Sequence, residues 1–183
     1  LISERFVDLE AEHIDVALRA TGKLADSALV AHRLADIERI IVAAPSYLEV
    51  HAAPKRTEDL AAHRIVQIGH ARAASPIVLR AADGATTEVR LPSSIAATDV
   101  GFARALGVAG AGIAILPSLI LKADLEAGRL VHVLRRYVAP GSSLYLLHRA
   151  GRFLPPKVRA FRDFVVREFP KACPKQARLR TTA

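Results

Sequence analysis

The sequence predicts an α/β layer fold. Three observations carry this: segments of helical period alternate with short β-rich runs, an Asp83-Gly84 turn signal separates two strand-like runs, and 183 residues with 51% hydrophobic content suffice for a buried core. A chain of this length buries roughly 70% of the surface its unfolded state exposes, so one ordinary domain or two small lobes both fit. Alanine accounts for 34 of the residues and the aromatic fraction is 5%, with no Trp or Met. That scarcity argues against a base-stacking surface for single-stranded nucleic acid. The longest apolar runs, Ile113 to Leu116 and Leu119 to Leu121, fall far short of the roughly 18 residues a bilayer span needs, which predicts a soluble chain with no membrane partner.

Element by element, Ser3 caps an expected helix through about Glu12, with Phe6 and Leu9 turned inward. His13 follows where the chain must leave that helix, in the left-handed conformation that Gly or Asn usually fills. Ile14 to Arg19 reads as a strand and Ala20 to Ser27 as the loop over its carboxyl end. Two further strands are expected at Val30 to Leu34 and Ile37 to Ala44, then short helical turns capped by Ser46 and Thr57. Arg64 to Ile68 is a strand, and Ile77 to Ala82 with Thr86 to Leu91 form a hairpin about Asp83-Gly84.

Thr98-Asp99 opens a helix that runs through Phe102, Ala103, Leu106 and Val108 to a stop at Gly110. Ile113 to Leu116 is a buried strand closed by Pro117, and Ser118 caps a helix ending near Gly128. Strands at Leu130 to Leu134 and Leu144 to His148 precede a last helix from Pro156. Its Val158, Phe161, Phe164, Val165 and Phe169 make an amphipathic stripe read as core.

The net charge of +8 is uneven: residues 1–60 hold 7 Lys/Arg against 11 Asp/Glu, and residues 129–183 hold 13 against 2. The late cations read as a solvated helix face and a loose basic tail over residues 171–183 ahead of a DNA-binding surface. The single Cys173 excludes an internal disulfide and a thiolate metal site, and fits a reducing compartment. Gly107, Gly110 and Gly112 give a dinucleotide fingerprint in reverse, at a helix end entering a strand, so no nucleotide site follows; these glycines are expected to end the helix and allow close packing. Seven histidines show no H-x-x-x-H pairing and no serine lies in a G-x-S-x-G elbow, so no metal, cofactor or catalytic residue is assigned.

Two loops remain as candidates for binding. One offers Arg19 and Thr21 beyond a strand; the other is the helix start at Thr98-Asp99, with a hydroxyl and free backbone N–H groups. Ligands in α/β sheets gather beyond the carboxyl ends of strands and helix N-termini attract anions, so a small carboxylate is one candidate. Asp99 competes for the same amides if it caps the helix. Taken alone, Arg19 reads as a surface ion pair and Thr98 as a cap.

At this point the residues resemble a family. Ser3-Glu4-Arg5-Phe6-Val7-Asp8-Leu9 with Ile14-Asp15-Val16-Ala17-Leu18-Arg19 is similar to the S-D-R-x-V-D-L…D-V-A-I-R segment of LysR-type transcriptional regulators. Ser27 to Leu34 resembles S-S-L-V-A-R-R-L, and Ala43 to Leu48 the A-S-P-A-Y-L turn, followed by Thr57-Glu58-Asp59-Leu60 for P-x-D-L. Ala109 to Pro117 resembles A-G-L-G-I-A-L-L-P, Leu125 to Val131 L-x-x-G-R-L-V, and Pro156 to Phe161 P-K-V-R-A-F.

The resemblance implies an effector-binding region of two Rossmann-like lobes, similar to type II periplasmic binding proteins, with the chain crossing twice, near Val66 and near Arg136 to Ser142. Residues 1–65 with 142–170 would form the first lobe and 66–141 the second. A small effector, an anionic one included, would lie between the lobes against Arg19, Thr21, Thr98 and Asp99, with Ile68 as an apolar wall. The family begins with a winged helix-turn-helix that nothing in residues 1–183 matches, and its first lobe with a strand, a helix and a strand of which Leu1-Ile2 is the expected remnant. Leu1 is therefore expected to mark a cut from a longer, cytoplasmic polypeptide that binds DNA through that N-terminal domain and forms a homodimer or homotetramer, residues 99–110 serving the usual dimer. The alternative reading is an exported solute-binding protein that delivers a ligand to a transporter. An enzyme ranks third, for want of convergent titratable groups.

Overall fold

A computed structural model of the chain describes residues 9, 11–22, 24, 29–69, 76–91, 95–150 and 154–172. In order, its strands are β1 (Val16–Thr21), β2 (Leu29–Ala43), β3 (Ile65–Ile68), β4 (Pro76–Ala81), β5 (Thr86–Arg90), β6 (Ile95–Ala97), β7 (Ile113–Pro117), β8 (Val131–His132) and β9 (Tyr137–Arg149). The helices are α1 (Pro45–Val50), α2 (Val100–Val108), α3 (Lys122–Glu126) and α4 (Pro156–Ala172), with 3-10 turns at Thr57–Ala62 and Ser118–Ile120. The expected Ser3–Glu12 helix lies outside the described residues except for Leu9, Ala11 and Glu12, and the tail beyond Ala172 lies outside them altogether.

The chain divides into two compact units. One comprises residues 1–37 and 141–180, the other residues 38–140 with the last three of the chain. The first changeover therefore falls at Ile37–Glu38, inside β2, and not near Val66, which lies within β3 of the second unit. A strand that continues through a changeover leaves no break in periodicity for sequence reading to find. The second changeover falls at Pro140–Gly141, inside β9.

In the second unit, β3 pairs in parallel with both β6 and β7, and β2 runs antiparallel to β7 and, at Val42 and Ala43, to β8. The β4–β5 hairpin joins the start of β9 through Arg80↔Val138 and Ala81↔Tyr137. Its turn forms as the Asp83-Gly84 signal predicts: Gly84 has φ +91° and the Ala85 amide donates to the Asp83 carboxylate at 2.9 Å. Alternation along β2 and β7 sends Ile41, Ala43, Ile113 and Ile115 into one apolar layer and Ile40, Val42, Ala114 and Leu116 into another. Both faces are thus covered, which explains the unbroken apolar runs Ile40 to Ala44 and Ile113 to Leu116.

The glycines of the α2–β7 connection have steric reasons. Gly110 adopts φ +73°, and a Cβ on Gly112 would sit 2.4 Å from the Arg64 carbonyl oxygen. Gly107 lies against Ala114, where a Cβ would stand 3.1 Å from the alanine methyl.

In the first unit, β1 pairs antiparallel with β9 from Val16↔His148 to Thr21↔Ser143. Leu34, Leu146 and Val165 are buried together, with Val16, Leu144 and Phe169 packed on them. His13 takes the expected left-handed conformation, φ 52°. His148 donates from Nδ1 to the Arg149 carbonyl at 2.9 Å, and its Nε2 shares a hydrogen bond with His32 Nε2 at 3.2 Å. Burial, and then the neighbouring His148, hold the His32 pKa below its ordinary value.

Several sequence expectations are corrected. The two strands expected at 30–34 and 37–44 are one 15-residue strand. The 3-10 turn at Thr57 is capped not by Thr57, which is buried, but by Asp59, whose carboxylate accepts from the Lys55 and Arg56 amides at 2.9 Å each. Ser118 donates to the Glu38 carbonyl and caps no helix. On α4 only part of the stripe is core: Val158 and Val165 are buried, while Phe161 and Phe164 are 47% and 56% exposed. An α-helix turns 100° per residue, so positions 158, 165 and 169 stay on one face and 161 and 164 rotate off it.

Candidate functional site

Three of the five candidate residues come together in the second unit. Ile68 ends β3 in register with Ala97 of β6, and the Gly69 amide closes on the Ala97 carbonyl at 3.0 Å. Thr98 and Asp99 follow at once and lead into α2. The parallel strands thus deliver Ile68, Thr98 and the first turn of α2 to one edge of the sheet, at their carboxyl ends. Ile68 packs on the apolar layer beneath α2, and Thr98 is exposed.

Asp99 caps the helix. Its side chain accepts from the Phe102 amide at 2.6 Å, and its carbonyl accepts from the Ala103 amide at 3.0 Å. The carboxylate also explains Gly101, where a Cβ would stand 3.2 Å from Asp99 Oδ1. A carboxylate on the first turn already offsets the helix dipole, so this terminus favours neutral hydrogen-bonding groups over a second anion. The cap that the sequence reading treated as a competitor for the helix amides is therefore present.

Arg19 and Thr21 lie in the first unit, two residues apart on one face of β1 and half-buried, opposite Tyr145 and Ser143 of β9.

Sequence reasoning missed the strongest electrostatic cluster. Asp124 of α3 is fully buried and receives Nη2 of Arg104 from α2 and Nε of Arg129, each at 2.8 Å, with a second bond from Arg104 Nε. The Arg104 hydrogen bonds, more than those from Arg129, hold the carboxyl below its ordinary range against the opposing effect of desolvation. The cluster ties α2 to α3 and to the loop that carries Gly128-Arg129; Gly128 there has φ +69°. A signal was available: Arg129 belongs to the Leu125 to Val131 motif, but its partner is visible only in three dimensions. A second buried set is Tyr47, whose hydroxyl accepts from the Arg64 amide at 3.3 Å and is hydrogen-bonded to His63 Nδ1 at 3.2 Å, and whose ring stacks on His51. His132 of β8 has a buried Nε2 without a hydrogen-bond partner, and burial, then Arg135, lowers its pKa to about 4. The Asp124 and Tyr47 sets bind the fold together; among the described residues no three His, Cys, Asp or Glu side chains are grouped to hold a metal ion.

The known proteins that resemble the chain decide its class. The LysR substrate binding domain family matches residues 1–170. The chain belongs to that family.

As a LysR substrate-binding domain it is 34% identical over 164 residues to the HTH-type transcriptional regulator PtxR of Pseudomonas aeruginosa, covering 88% of this chain and 51% of PtxR. It is 30% identical over 152 residues to the HTH-type transcriptional activator AaeR of Escherichia coli, covering 83% of this chain and 48% of AaeR. The chain thus spans about half the length of the curated relatives it matches. Among solved structures, the full-length Vibrio cholerae virulence activator AphB superposes with TM-score 0.77 at 28% identity, over 92% of this chain and 57% of AphB. The regulatory domain of CrgA from Neisseria meningitidis gives 0.75 at 26%, over 91% and 81%. The fold is that of the regulatory domains of LysR-type proteins, similar to type II periplasmic binding proteins, as the sequence predicts. The relatives are regulators and not exported solute-binding proteins, which overturns the transporter alternative.

Proposed function

We propose that this LysR substrate-binding domain is the sensing part of a cytoplasmic, DNA-binding transcriptional regulator and binds a small-molecule effector without chemically transforming it. Binding to one of two conformations shifts the balance between them, and the shift is passed to an N-terminal winged helix-turn-helix domain of a homodimeric or homotetrameric full-length protein. The observation that carries the reading within this chain is the edge where Ile68, Thr98 and the first turn of α2 converge beyond parallel strands. Ile68 serves as an apolar wall, Thr98 as a hydroxyl donor and acceptor, and Asp99 as the group that fixes the helix start. Arg19 and Thr21 of the first unit contribute to effector affinity and selectivity.

The test is a thermal-shift titration with a panel of small carboxylates and aromatics. At least one compound should raise Tm in proportion to the logarithm of its concentration, and Thr98→Ala should weaken that response about tenfold. A flat response across the whole panel overturns the sensing reading.

A further inference from the structure

Arg39 lies on β2 opposite Pro117, the last residue of β7. Its Nε donates to the Pro140 carbonyl at 3.0 Å, its single hydrogen bond among the described residues. The side chain is half-buried, on the face of β2 that also carries the fully buried Ile41. Two neighbouring charges of this unit have counter-ions: buried Asp124 has two guanidinium groups, and half-buried Glu38, next to Arg39 in the chain, has the exposed Arg80 at 2.8 Å. Arg39 has no carboxylate within ion-pair distance among the described residues. Its pKa is lowered by burial with no compensating charge. A partly desolvated cation without a counter-ion carries a free-energy cost that an anion removes on binding.

Position and chemistry agree. β3, β6 and β7 are parallel, so Arg39 beside Pro117 shares the carboxyl-end edge with Gly69 and Thr98, about 14 Å from β6 at three strand spacings. With Nε held by Pro140, the two Nη groups are left as an end-on fork, and neither is a buried atom lacking a partner, so solvent reaches both. Glu38 points to the other face and is engaged by Arg80. One positive charge on the strand face that carries the apolar Ile41 balances one negative charge, whereas a dianionic phosphate would leave an excess charge on an apolar face.

We propose that the Nη groups of Arg39 form a monocarboxylate-binding site, gripping both oxygens of a small ligand's carboxylate while the Pro140 carbonyl fixes the guanidinium plane. This rests on the effector reading only for the ligand's role, and gives that reading a charge preference which the Asp99-capped helix does not supply.

The experiment is an NMR titration of the 15N-labelled chain with sodium butyrate, following arginine Nε–H and backbone amide signals, with butyramide and sodium chloride titrated in parallel. A saturable shift of the Arg39 Nε–H signal with butyrate, absent with the neutral butyramide and with chloride, is the expected result. Arg39→Gln and Arg39→Lys should each weaken butyrate binding at least tenfold, as read from backbone amides near Pro117 and Pro140. A shift that fails to saturate, an equal response to butyramide or chloride, or undiminished binding in Arg39→Gln overturns the proposal. The butyrate and butyramide comparison uses the unaltered protein, so it decides even if a variant does not fold. Saturable shifts at Thr98 to Gly101 with Arg39 unmoved would overturn this inference and leave the effector reading standing. Saturation at Arg39 with no ligand response to Thr98→Ala would do the reverse for the Thr98 site.

Discussion

The two units bury their apolar residues to different depths. The second has two layers, thirteen buried residues on one side of its sheet and ten on the other. Among the described residues of the first, a cluster of three holds α4 to β2 and β9, and that helix leaves two phenylalanines half in water. Burial at about 25 cal/mol per Å² is the main stabilising term, so resistance to unfolding should be concentrated in residues 38–140. A rigid second unit also suits the placement of Ile68, Thr98 and Arg39, since precise positioning needs supporting side chains that do not yield.

Four perturbations test this contrast, in descending order of expected effect. Gly112→Ala puts a methyl against backbone that is itself bonded, because the Ile113 amide donates to the same Arg64 carbonyl at 2.9 Å. Neither partner can yield, and the cost should be about 4 kcal/mol or more by denaturant unfolding. A loss under 1 kcal/mol would show that the second unit is more pliable than its packing implies.

Asp124→Asn strands two guanidinium groups and should cost about 3 kcal/mol, whereas Asp36→Asn in the first unit, facing the exposed Arg33, should cost under about 1 kcal/mol. Equal losses in the two would erase the distinction between a buried cluster and a surface pair. Because the Asp124 carboxyl is depressed, the stability it confers is complete above its ordinary pKa and is lost as pH falls through the lower folded value.

Val165→Ala should cost about 2 kcal/mol and raise hydrogen exchange across α4 while β7 amides keep their protection. Phe164→Ser, one residue away but exposed, should stay within about 0.5 kcal/mol. Uniform loss of protection in both units would mean that they unfold as one.

The smallest effect is a pH slope. His132 has a folded pKa of about 4 against an ordinary 6.5, so between those values the unfolded chain binds a proton that the fold refuses. Stability of the second unit should fall as pH drops from about 6.5 to about 4, then level off, by about 1–2 kcal/mol after allowing for partial exposure. His132→Phe should flatten that slope, and an unchanged slope would assign it elsewhere. His32, shifted in the same direction in the first unit, gives the corresponding comparison.

Elements whose ends carry their own chemistry were legible in the sequence. Asp99 and Gly110 bound α2, Asp83-Gly84 makes the β4–β5 turn, and Gly112 marks a contact too tight for a side chain. Features set by distant partners were not. Ala35-Asp36 looks like a break, yet β2 runs through it because Asp36 is satisfied from the side by Arg33 and by the Ser143 hydroxyl at 2.9 Å. Pro140-Gly141 looks like a loop, yet β9 continues, with the Pro140 carbonyl taken by Arg39 from 101 residues away. Of the candidate site, the cap and the strand-end placement of Ile68 followed from local pattern. The unpaired state of Arg39 did not, because a sequence records which cations exist and not which anions they fail to meet.

The protein has three tyrosines and no tryptophan, and the placement of Tyr47 gives that scarcity a practical consequence. Tyr47, shut in with His63 and stacked on His51, and Tyr137, packed on the same layer, report on the second unit, leaving Tyr145 alone for the first. Near-ultraviolet dichroism will therefore follow mainly one half of the molecule, and a single smooth optical transition should not be taken as evidence that α4 has melted with it.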